Sequence, residues 1–583
     1  MTWRQKYEKW LACDDLDADL KQSMISKDEE VLKDCFYTCL NFGTAGIRGE
    51  IGPGPNRMNL YSVRKATNGL ASFIKNNGNK ATRQGVVIAF DSRHKSADFA
   101  LEVAKVLVGN HIQTYLFQSL RSTPELSFAV RSLNASHGIV ITASHNPKEY
   151  NGLKVYNSDG CQISPKDVKK IMDYINYVED ELTISVIKEE EMERSPYFKR
   201  IGEELDKAYL DEVASLSMKT ESMQDEAADY PIVYTPLHGT GNIPVRRILD
   251  KVGFKNVYIV SEQAEPDPEF STITQPNPEE KSAFSLAIRD GKKVGAELLL
   301  ATDPDADRLG VAVKNKIGEY ELLTGNQIGA VFINYLIEQK KAEGTLAKNA
   351  VVLKTIVTSE FGESIAAAHG IKTINTLTGF KYIGEKIKEF EKSKEQSFLF
   401  GYEESYGYLV GDFVRDKDAI QVALLIAEMG CYYKTQGKGL LDVLEQLHCR
   451  YGYYRETQKS IILAGETGSN KVLEIIDYFR KESVFKLGNS KVNFLEDYRI
   501  GKRLSKSKEE EIDLPKENVL KFIAEDQSWI AIRPSGTEPK IKFYFGVRGN
   551  SLAEANSKLL AITKQIDAKL NSLMNSRVGG WRI

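Results

Sequence analysis

Residues 142–154 read T-A-S-H-N-P-K-E-Y-N-G-L-K and follow the apolar run H-G-I-V-I at 137–141. A buried strand that ends in a hydroxyl, an imidazole, an amide and two Asn-containing turns delivers those groups to the edge of the sheet where ligands bind. Ser144 is a weak nucleophile unless a base activates it. His145 is adjacent, but the loop has no G-x-S-x-G elbow and no acidic partner for a hydrolytic triad, which disfavours a hydrolase. If Ser144 carries a phosphoryl group instead, the dianion needs a cation. D-P-D-A-D-R at 303–308 offers a place for one. Asp303, Asp305 and Asp307 alternate, and in an extended segment a period of two puts all three on one side. Three carboxylates suit a hard cation, and Mg²⁺ would leave room for a phosphate oxygen. Calcium fits less well, because the later Gly and Glu of an EF-hand loop are missing. The plain alternative is a solvated acidic turn, but the apolar strand A-E-L-L-L-A-T runs directly into this one.

Two further loops carry anion- and hydroxyl-binding chemistry. R-P-S-G-T-E-P-K at 533–540 combines the donor fork of Arg533, the hydroxyls of Ser535 and Thr537, and the open backbone of Gly536. This is the composition of a phosphate grip, and equally of a turn-rich hairpin. G-Y-E-E-S-Y-G at 401–407 places Glu403 and Ser405 on one side if extended, a carboxylate and a hydroxyl suited to sugar hydroxyls. A helix start with Glu in its first turn is the alternative there. Arg415, Lys417 and Lys381 lie nearby in sequence, each on its own more often a surface charge.

The elements that position these loops alternate. Apolar β-rich runs at 85–93, 137–144, 231–241, 295–308, 349–359 and 397–407 are separated by helical patterns, which predicts parallel sheets covered by helices. The loops look like products of one α/β unit used three times. The charged stretch 180–229 reads as helices and a linker, and a joint falls near T-G-N-Q at 324–327. After about 450 a strand, a turn-rich loop, a second strand and a helix predict a smaller α+β domain. The expected organisation is three related mixed α/β units and a C-terminal α+β domain around a central cleft, with boundaries at 1–205, 206–323, 324–450 and 451–583.

At 583 residues the chain exceeds a single core. Charged residues make up 27% and apolar residues 42%, with a net charge of −3, an ordinary globular balance that gives no reason to expect nucleic acid. The six cysteines show no metal-ligand spacing and read as reduced packing residues. The N-terminal M-T-W-R-Q-K-Y-E-K-W-L-A-C-D-D-L-D-A-D-L-K-Q is predicted as an amphipathic helix, not a signal peptide, and no segment has eighteen apolar residues to cross a bilayer. A cytoplasmic protein is expected.

Taken together and in order, T-A-S-H-N-P, D-P-D-A-D-R, G-Y-E-E-S-Y-G and R-P-S-G-T-E-P-K resemble the motifs of the phosphohexomutases, the superfamily of phosphoglucomutase and phosphomannomutase. F-G-T-A-G-I-R-G-E at 42–50 and T-P-L-H-G-T-G at 235–241 extend the resemblance over nearly the whole chain. N-R-M-N-L-Y-S-V-R-K-A, D-S-R-H-K-S and A-T-D-P-D-A-D-R-L-G are similar to the bacterial and phosphoglucomutase-2/phosphopentomutase branch. The resemblance implies a phosphoserine at Ser144 and Mg²⁺ on Asp303, Asp305, Asp307 and a phosphoserine oxygen. It implies sugar contacts at Glu403 and Ser405, and a grip on the non-reacting phosphate by Arg533, Ser535, Gly536 and Thr537. Arg48, His145, Lys154, Arg308, Lys381 and Lys417 match positions around the reacting centre. Lys154 and Lys417 are the two candidates for proton transfer.

The implied reaction interconverts glucose 1-phosphate and glucose 6-phosphate through bound glucose 1,6-bisphosphate, with small sugar phosphates as partners, no nucleic acid or membrane, and a monomer or weak homodimer. E-E-S at 403–405 differs from the E-M-S of dual mannose/glucose enzymes and the E-Q-S of glucosamine enzymes, which points to glucose or a pentose. The rival readings are phosphopentomutase, phosphomannomutase, a synthase of the bisphosphate, a Mg²⁺-dependent sugar phosphatase, and a catalytically quiet sugar-phosphate sensor.

Overall fold

The hydrophobic runs of the first third of the chain build a six-stranded sheet from β1 (Gly46–Glu50), β2 (Val86–Phe90), β3 (Thr114–Phe117), β4 (His137–Ile141), β5 (Tyr150–Asn157) and β6 (Phe198–Ile201), in the order β1-β5-β4-β2-β3-β6. The computed structural model describes residues 1–43, 46–220, 223–463, 468–481, 485–505, 507–535 and 540–575. By its internal contacts the chain divides into two units, one of Met1–Ile328, Gln339–Ala350 and Phe380–Leu440, the other of Gly329–Glu338, Val351–Gly379 and Leu441–Ile583.

In the first unit, β4, β2, β3 and β6 run parallel, while β5 returns antiparallel to β4 and β1 antiparallel to β5. The sheet is therefore mixed, not parallel as the alternating pattern predicts, because the eight residues between β4 and β5 are too few for the crossover that parallel neighbours need. Val86, Ile88, Ile139, Ile141, Leu153 and Val155 bury one face beneath Phe99, Val103 and Leu107 of the helix Ser96–Gly109. Each such side chain contributes about 1.5–3 kcal/mol by leaving water. β6 lies inside the stretch read from sequence as helices and linker, since F-K-R-I shows no strand pattern of its own and is placed by its pairing with β3.

A second sheet follows from β7 (Ile232–Thr235), β8 (Val257–Ile259), β9 (Leu298–Thr302), β10 (Leu309–Lys314) and β11 (Tyr320–Leu322), ordered β11-β10-β9-β7-β8. Its plan repeats the first: β9, β7 and β8 are parallel, and β10 returns antiparallel after a short loop. A third hairpin, Ser397–Tyr402 with Tyr408–Leu409, makes the same return. The predicted N-terminal helix is two helices, Trp3–Leu11 and Ala18–Ser26, interrupted where Asp17 accepts the amide of Leu20 as an N-cap, and a third, Glu29–Phe36, follows. Trp10, Met24 and Phe36 pack with Tyr61.

The second unit holds the parallel strands Ala350–Thr355 and Lys372–Thr376, joined through their residues beyond Ala350, and an antiparallel sheet in which Tyr453–Ile462, Lys540–Gly549, Trp529–Pro534, Leu520–Ala524 and Ser490–Asp497 are successive neighbours. Ile530, Ile532, Phe543 and Phe545 of that sheet pack with Ile562 and Ile566 of the helix Leu552–Asn575, the α+β arrangement read from the sequence. All six cysteines are free, but only Cys35, Cys161 and Cys431 are buried, while Cys39 and Cys449 are exposed and so are not packing residues. Among the described residues no helix is long and apolar enough to cross a membrane.

Candidate active site

Each of the three hairpins turns through one non-glycine residue with a left-handed backbone: Ser144 (φ 53°), Ala306 (φ 51°) and Tyr406 (φ 64°). A side chain in that region is strained by about 1–2 kcal/mol, so the surroundings must hold it there. The three loops hold one another. Thr123, at the start of the helix Thr123–Ser132, donates its amide to the Asp305 carbonyl and its hydroxyl to Asp305 Oδ2, both at 2.9 Å. Thr240 of T-P-L-H-G-T-G donates both its amide (2.8 Å) and its hydroxyl (2.9 Å) to the Pro304 carbonyl. The amide of Leu309 donates to the Tyr406 carbonyl at 3.1 Å, and that of Ala419 to the Ala306 carbonyl at 3.2 Å.

The aspartates meet by a different route from the one the sequence predicts. Residues 304–306 form a turn, not an extended segment, and Asp303 Oδ1 closes it by accepting the amides of Asp307 and Arg308 at 3.0 Å. Alternation is not what aligns them; a carboxylate that caps its own turn does. The three side chains are buried, and each offers an oxygen within 4.8 Å of the others. Ser144 Oγ donates to Asp303 Oδ2 at 2.6 Å, and His145 Nδ1 lies 3.2 Å from the same hydroxyl.

Lys154, on β5, reaches Asp305 Oδ2 at 2.8 Å and Asp307 Oδ2 at 3.7 Å. Lys417 approaches Asp307 Oδ2 at 3.0 Å and Asp416 Oδ1 at 3.2 Å. The other oxygens, Asp305 Oδ1 and Asp307 Oδ1, are buried with no hydrogen-bond partner among the described residues, although Arg308 Nε lies 3.9 Å from Asp307 Oδ1. A buried acceptor left so is expensive unless something else meets it. A hard divalent cation fits this donor set, with carboxylate oxygens and the serine around it. The electrostatics agree: burial, then Asp305 and Asp307, push Asp303 well above the usual carboxylate range. Burial also opposes the charge of Asp305, but Lys154 overrides it and holds that carboxyl below its usual range.

Arg48 is exposed on β1 and donates to Asn146 Oδ1 of the serine loop at 3.1 Å. Arg308 bonds Glu279 at 2.5 Å. Glu403 is buried and pushed up to about 7 by desolvation, against the attraction of Lys417 and Arg308. Burial works against the Lys417 ammonium, but Asp307, Asp416 and Glu403 hold it above its ordinary value. A Cβ on Gly407 would stand 2.1 Å from Lys417 Cδ, so only glycine lets this lysine pass. Ser405 sits in a turn and not in the extended segment the sequence predicts, half-buried. Lys381 is buried in the first turn of the helix Phe380–Ser393, its ammonium 4.8 Å from the ring centre of Tyr382. Arg533 and Ser535 belong to the second unit, where Arg533 Nε lies 4.0 Å from Glu517 and the Ser535 amide donates to the Lys540 carbonyl. Gly536 and Thr537 lie outside the described residues.

Comparison with known proteins is decisive at the level of family. The phosphoglucomutase/phosphomannomutase alpha/beta/alpha domains I, II and III match residues 40–181, 207–318 and 324–451, and the C-terminal domain matches 489–557. The chain belongs to the phosphoglucomutase/phosphomannomutase family. It is 38% identical over 527 residues to a phosphoglucomutase of Staphylococcus haemolyticus, covering 90% of this chain and 93% of that one. A Staphylococcus aureus phosphoglucomutase is 38% identical over 529 residues, with the same coverage. In fold it resembles a phosphoglucomutase/phosphomannomutase family protein from Burkholderia thailandensis (TM-score 0.65, 16% identity, 92% and 97% of the two chains) and the phosphoprotein parafusin from Paramecium (0.65, 17%, 92% and 96%).

Around this cluster of side chains, several supporting residues have a role that no motif announces. Asp416 accepts the Tyr156 hydroxyl (2.8 Å) and Gln162 (2.9 Å) on Oδ2, and the amide and ammonium of Lys417 on Oδ1. It is the carboxylate that aims Lys417. Thr123, Thr240 and Arg93 hold loops by backbone carbonyls, a role no side-chain pattern announces. D-S-R-H-K-S and T-P-L-H-G-T-G mark Arg93 and Thr240 as part of the resemblance but give neither a role; the signal for the role was position, since D-S-R at 91–93 follows β2 as T-A-S follows β4.

Proposed function

We propose that this phosphohexomutase is a phosphoglucomutase that interconverts glucose 1-phosphate and glucose 6-phosphate through phosphorylated Ser144 and bound glucose 1,6-bisphosphate. The observation that carries the reading is the Ser144 hydroxyl 2.6 Å from Asp303, beside two buried aspartate oxygens that have no hydrogen-bond donor among the described residues. His145 Nδ1 lies 3.2 Å from the hydroxyl, but the hydroxyl gives its proton to Asp303 and faces a cluster of carboxylates, which suits it to bear phosphate beside a cation. Asp303, Asp305, Asp307 and an oxygen of the phosphorylated serine would hold one Mg²⁺, which supplies charge neutralisation at the transferring phosphoryl group.

The chain's own residues do the positioning on which phosphoryl transfer depends. The free hydroxyl of the sugar phosphate attacks the phosphorus on Ser144, the bond to Oγ breaks, and the hydroxyl proton passes to a base. Lys154 and Lys417 are the candidates for proton transfer, both within 3.0 Å of the acidic loop; Lys417, held as the ammonium by Asp307, Asp416 and Glu403, would give a proton back and not take one. The bisphosphate then reverses end for end, and its other phosphoryl group returns to Ser144. Glu403 and Ser405 would hold sugar hydroxyls. Arg308, Lys381, Arg533, Ser535, Gly536 and Thr537 would bind the substrate and the phosphate that is not reacting. The functional segments run 1–205, 206–323, 324–450 and 451–583, in a cytoplasmic monomer or weak homodimer. The E-E-S sequence favours glucose, or a pentose 1-phosphate, over mannose.

Peptide mass spectrometry should find phosphate on Ser144 after incubation with glucose 1,6-bisphosphate. Turnover of glucose 1-phosphate should exceed that of mannose and ribose 1-phosphates, with almost no free phosphate released. Ser144→Ala should lose nearly all of it; full turnover by that variant, or stoichiometric phosphate release by the parent, would refute the reading.

A further inference from the structure

β2 and β4 are parallel neighbours, with Phe90 opposite Ile141, so the loops that follow them emerge side by side. Arg93, the third residue after β2, is only 3% exposed and turns its guanidinium under the serine loop. Nη1 donates to the carbonyls of Pro147 (2.8 Å) and Tyr150 (3.2 Å), and Nη2 to those of Ser144 and Asn146. One side chain thus gathers four carbonyls from seven consecutive residues. Asp91 in turn fixes the arginine: Oδ2 lies 3.4 Å from Arg93 Nε, while Oδ1 accepts the Arg93 amide (3.0 Å) and the Ser96 hydroxyl (2.6 Å). The Phe270 ring covers the guanidinium at 5.1 Å.

We propose that Arg93 is a positioning residue that holds Ser144 in its left-handed conformation and so keeps the hydroxyl on the acidic loop; the proposal rests on Ser144 being the phosphoryl carrier. The strained residue is fixed on both sides. Its amide donates to Thr142 Oγ1 at 2.8 Å, and its carbonyl accepts from Arg93. Releasing the carbonyl lets φ return to negative values, which swings Oγ away from Asp303. An ammonium cannot replace the guanidinium, because four carbonyls spread around the edge of a planar fork need donors that one point charge lacks. Arg93 touches loop backbone and not the sugar, so its loss should appear in turnover and not in substrate affinity.

The test compares the parent with Arg93→Lys, Arg93→Ala and Asp91→Asn, using glucose 1-phosphate with saturating glucose 1,6-bisphosphate and Mg²⁺. A reacting group displaced by about 1 Å loses on the order of a hundredfold in rate, so Arg93→Lys should lower kcat by about that factor with KM within about twofold. Phosphoryl uptake by Ser144 from the bisphosphate, followed by intact-protein mass, should slow in proportion. Guanidinium ion at millimolar concentration should restore part of the activity of Arg93→Ala, which a variant that failed to fold would not allow. Asp91→Asn leaves the guanidinium present but less firmly aimed, so it should fall between parent and Arg93→Lys, and it stands as the test if the arginine variants do not fold. Parent-like kcat in Arg93→Lys or in Asp91→Asn, with Ser144 phosphorylated normally, overturns the inference alone. A parent without phosphate on Ser144 overturns it together with the proposed function.

Discussion

Two regions of the molecule bury several charges together, and they resolve the problem differently. In the second unit, Lys354 is fully buried and lies 2.8 Å from Glu360 and 3.7 Å from Glu363, while donating to the Thr358 carbonyl. Lys521 meets Glu360 at 3.1 Å and the Ile356 carbonyl at 2.8 Å, and lies 4.7 Å from the Trp529 ring centre. Two cations face two anions there, and both ammonium groups have hydrogen-bond acceptors. In the first unit, three aspartates face Lys154, Lys417 and, at 3.9 Å from Asp307 Oδ1, Arg308, and among the described residues two carboxylate oxygens remain without a hydrogen-bond partner. Buried charge alone marks neither structure nor function; the distinction lies in whether the protein satisfies it. In the second unit each ammonium has its acceptors, whereas the cluster of aspartates beside Ser144 has carboxylate oxygens left over, which suits it to a cation.

The sharpest way to break this contrast is Asp305→Asn. The amide keeps the shape but removes a charge from a set in which two carboxylate oxygens lack a hydrogen-bond donor among the described residues. Turnover should fall by about a thousandfold, the scale of losing a preorganised electrostatic group, and apparent Mg²⁺ affinity should fall with it. The unfolding midpoint should move by no more than about 2 °C, because removing one of three mutually repelling carboxylates offsets what Lys154 loses. A large loss of stability with activity intact would put this region in the same class as the other.

Glu360→Gln should do the reverse. It leaves the buried Lys354 ammonium short of its nearest anion, and since the Glu360 side chain retains 31% exposure the loss should be about 2 kcal/mol, below the range for fully buried pairs. Burial opposes ionisation of Glu360, but Lys354 and Lys521 hold it below the usual carboxylate range. Its contribution is therefore present at neutral pH and disappears as the parent titrates in acid. The gap between variant and parent, from denaturant unfolding, should be full at pH 7 and shrink below about pH 4, with Mg²⁺ affinity unchanged.

The same contrast explains what was legible in the sequence. Ser144 and the aspartates could be named because each follows a strand whose apolar run is local and visible, and Lys154 and Lys417 because the ordered motifs resemble a known family. What could not be read was the pairing. The hairpin return of β5, the strand Phe198–Ile201 and the turn that aligns the aspartates depend on partners 12 to 84 residues away or on a backbone twist at Ala306. Arg93 and Asp416 escaped for a related reason, since their partners are carbonyls, a tyrosine and an ammonium brought together only by folding. Charged side chains announce themselves in a sequence, but whether they will be satisfied does not.

Glu428 stands between the two cases and offers the finest test. It is fully buried on the helix Ala419–Thr435, where its carboxylate accepts the Ser217 hydroxyl and the Met218 amide (3.0 Å), but no ion pair within the described residues compensates it. Desolvation pushes its carboxyl up to about 7, with the two donors and Lys219 opposing. A raised carboxyl means that between about pH 4.5 and 7 the folded state binds more protons than the unfolded one, so this group's contribution to stability falls as pH rises through that window. The full penalty above neutrality is at most roughly 3 kcal/mol. Glu428→Gln abolishes the titration, but the amide presents one acceptor where two were used, and that mismatch offsets part of the gain at every pH. The variant should therefore be no more stable than the parent at pH 5 and more stable by about 1 kcal/mol at pH 8, with activity unchanged at both. A stability difference independent of pH would show that hydrogen bonds alone satisfy a buried carboxylate, and the orphaned oxygens of Asp305 and Asp307 would then be the only open positions the contrast needs.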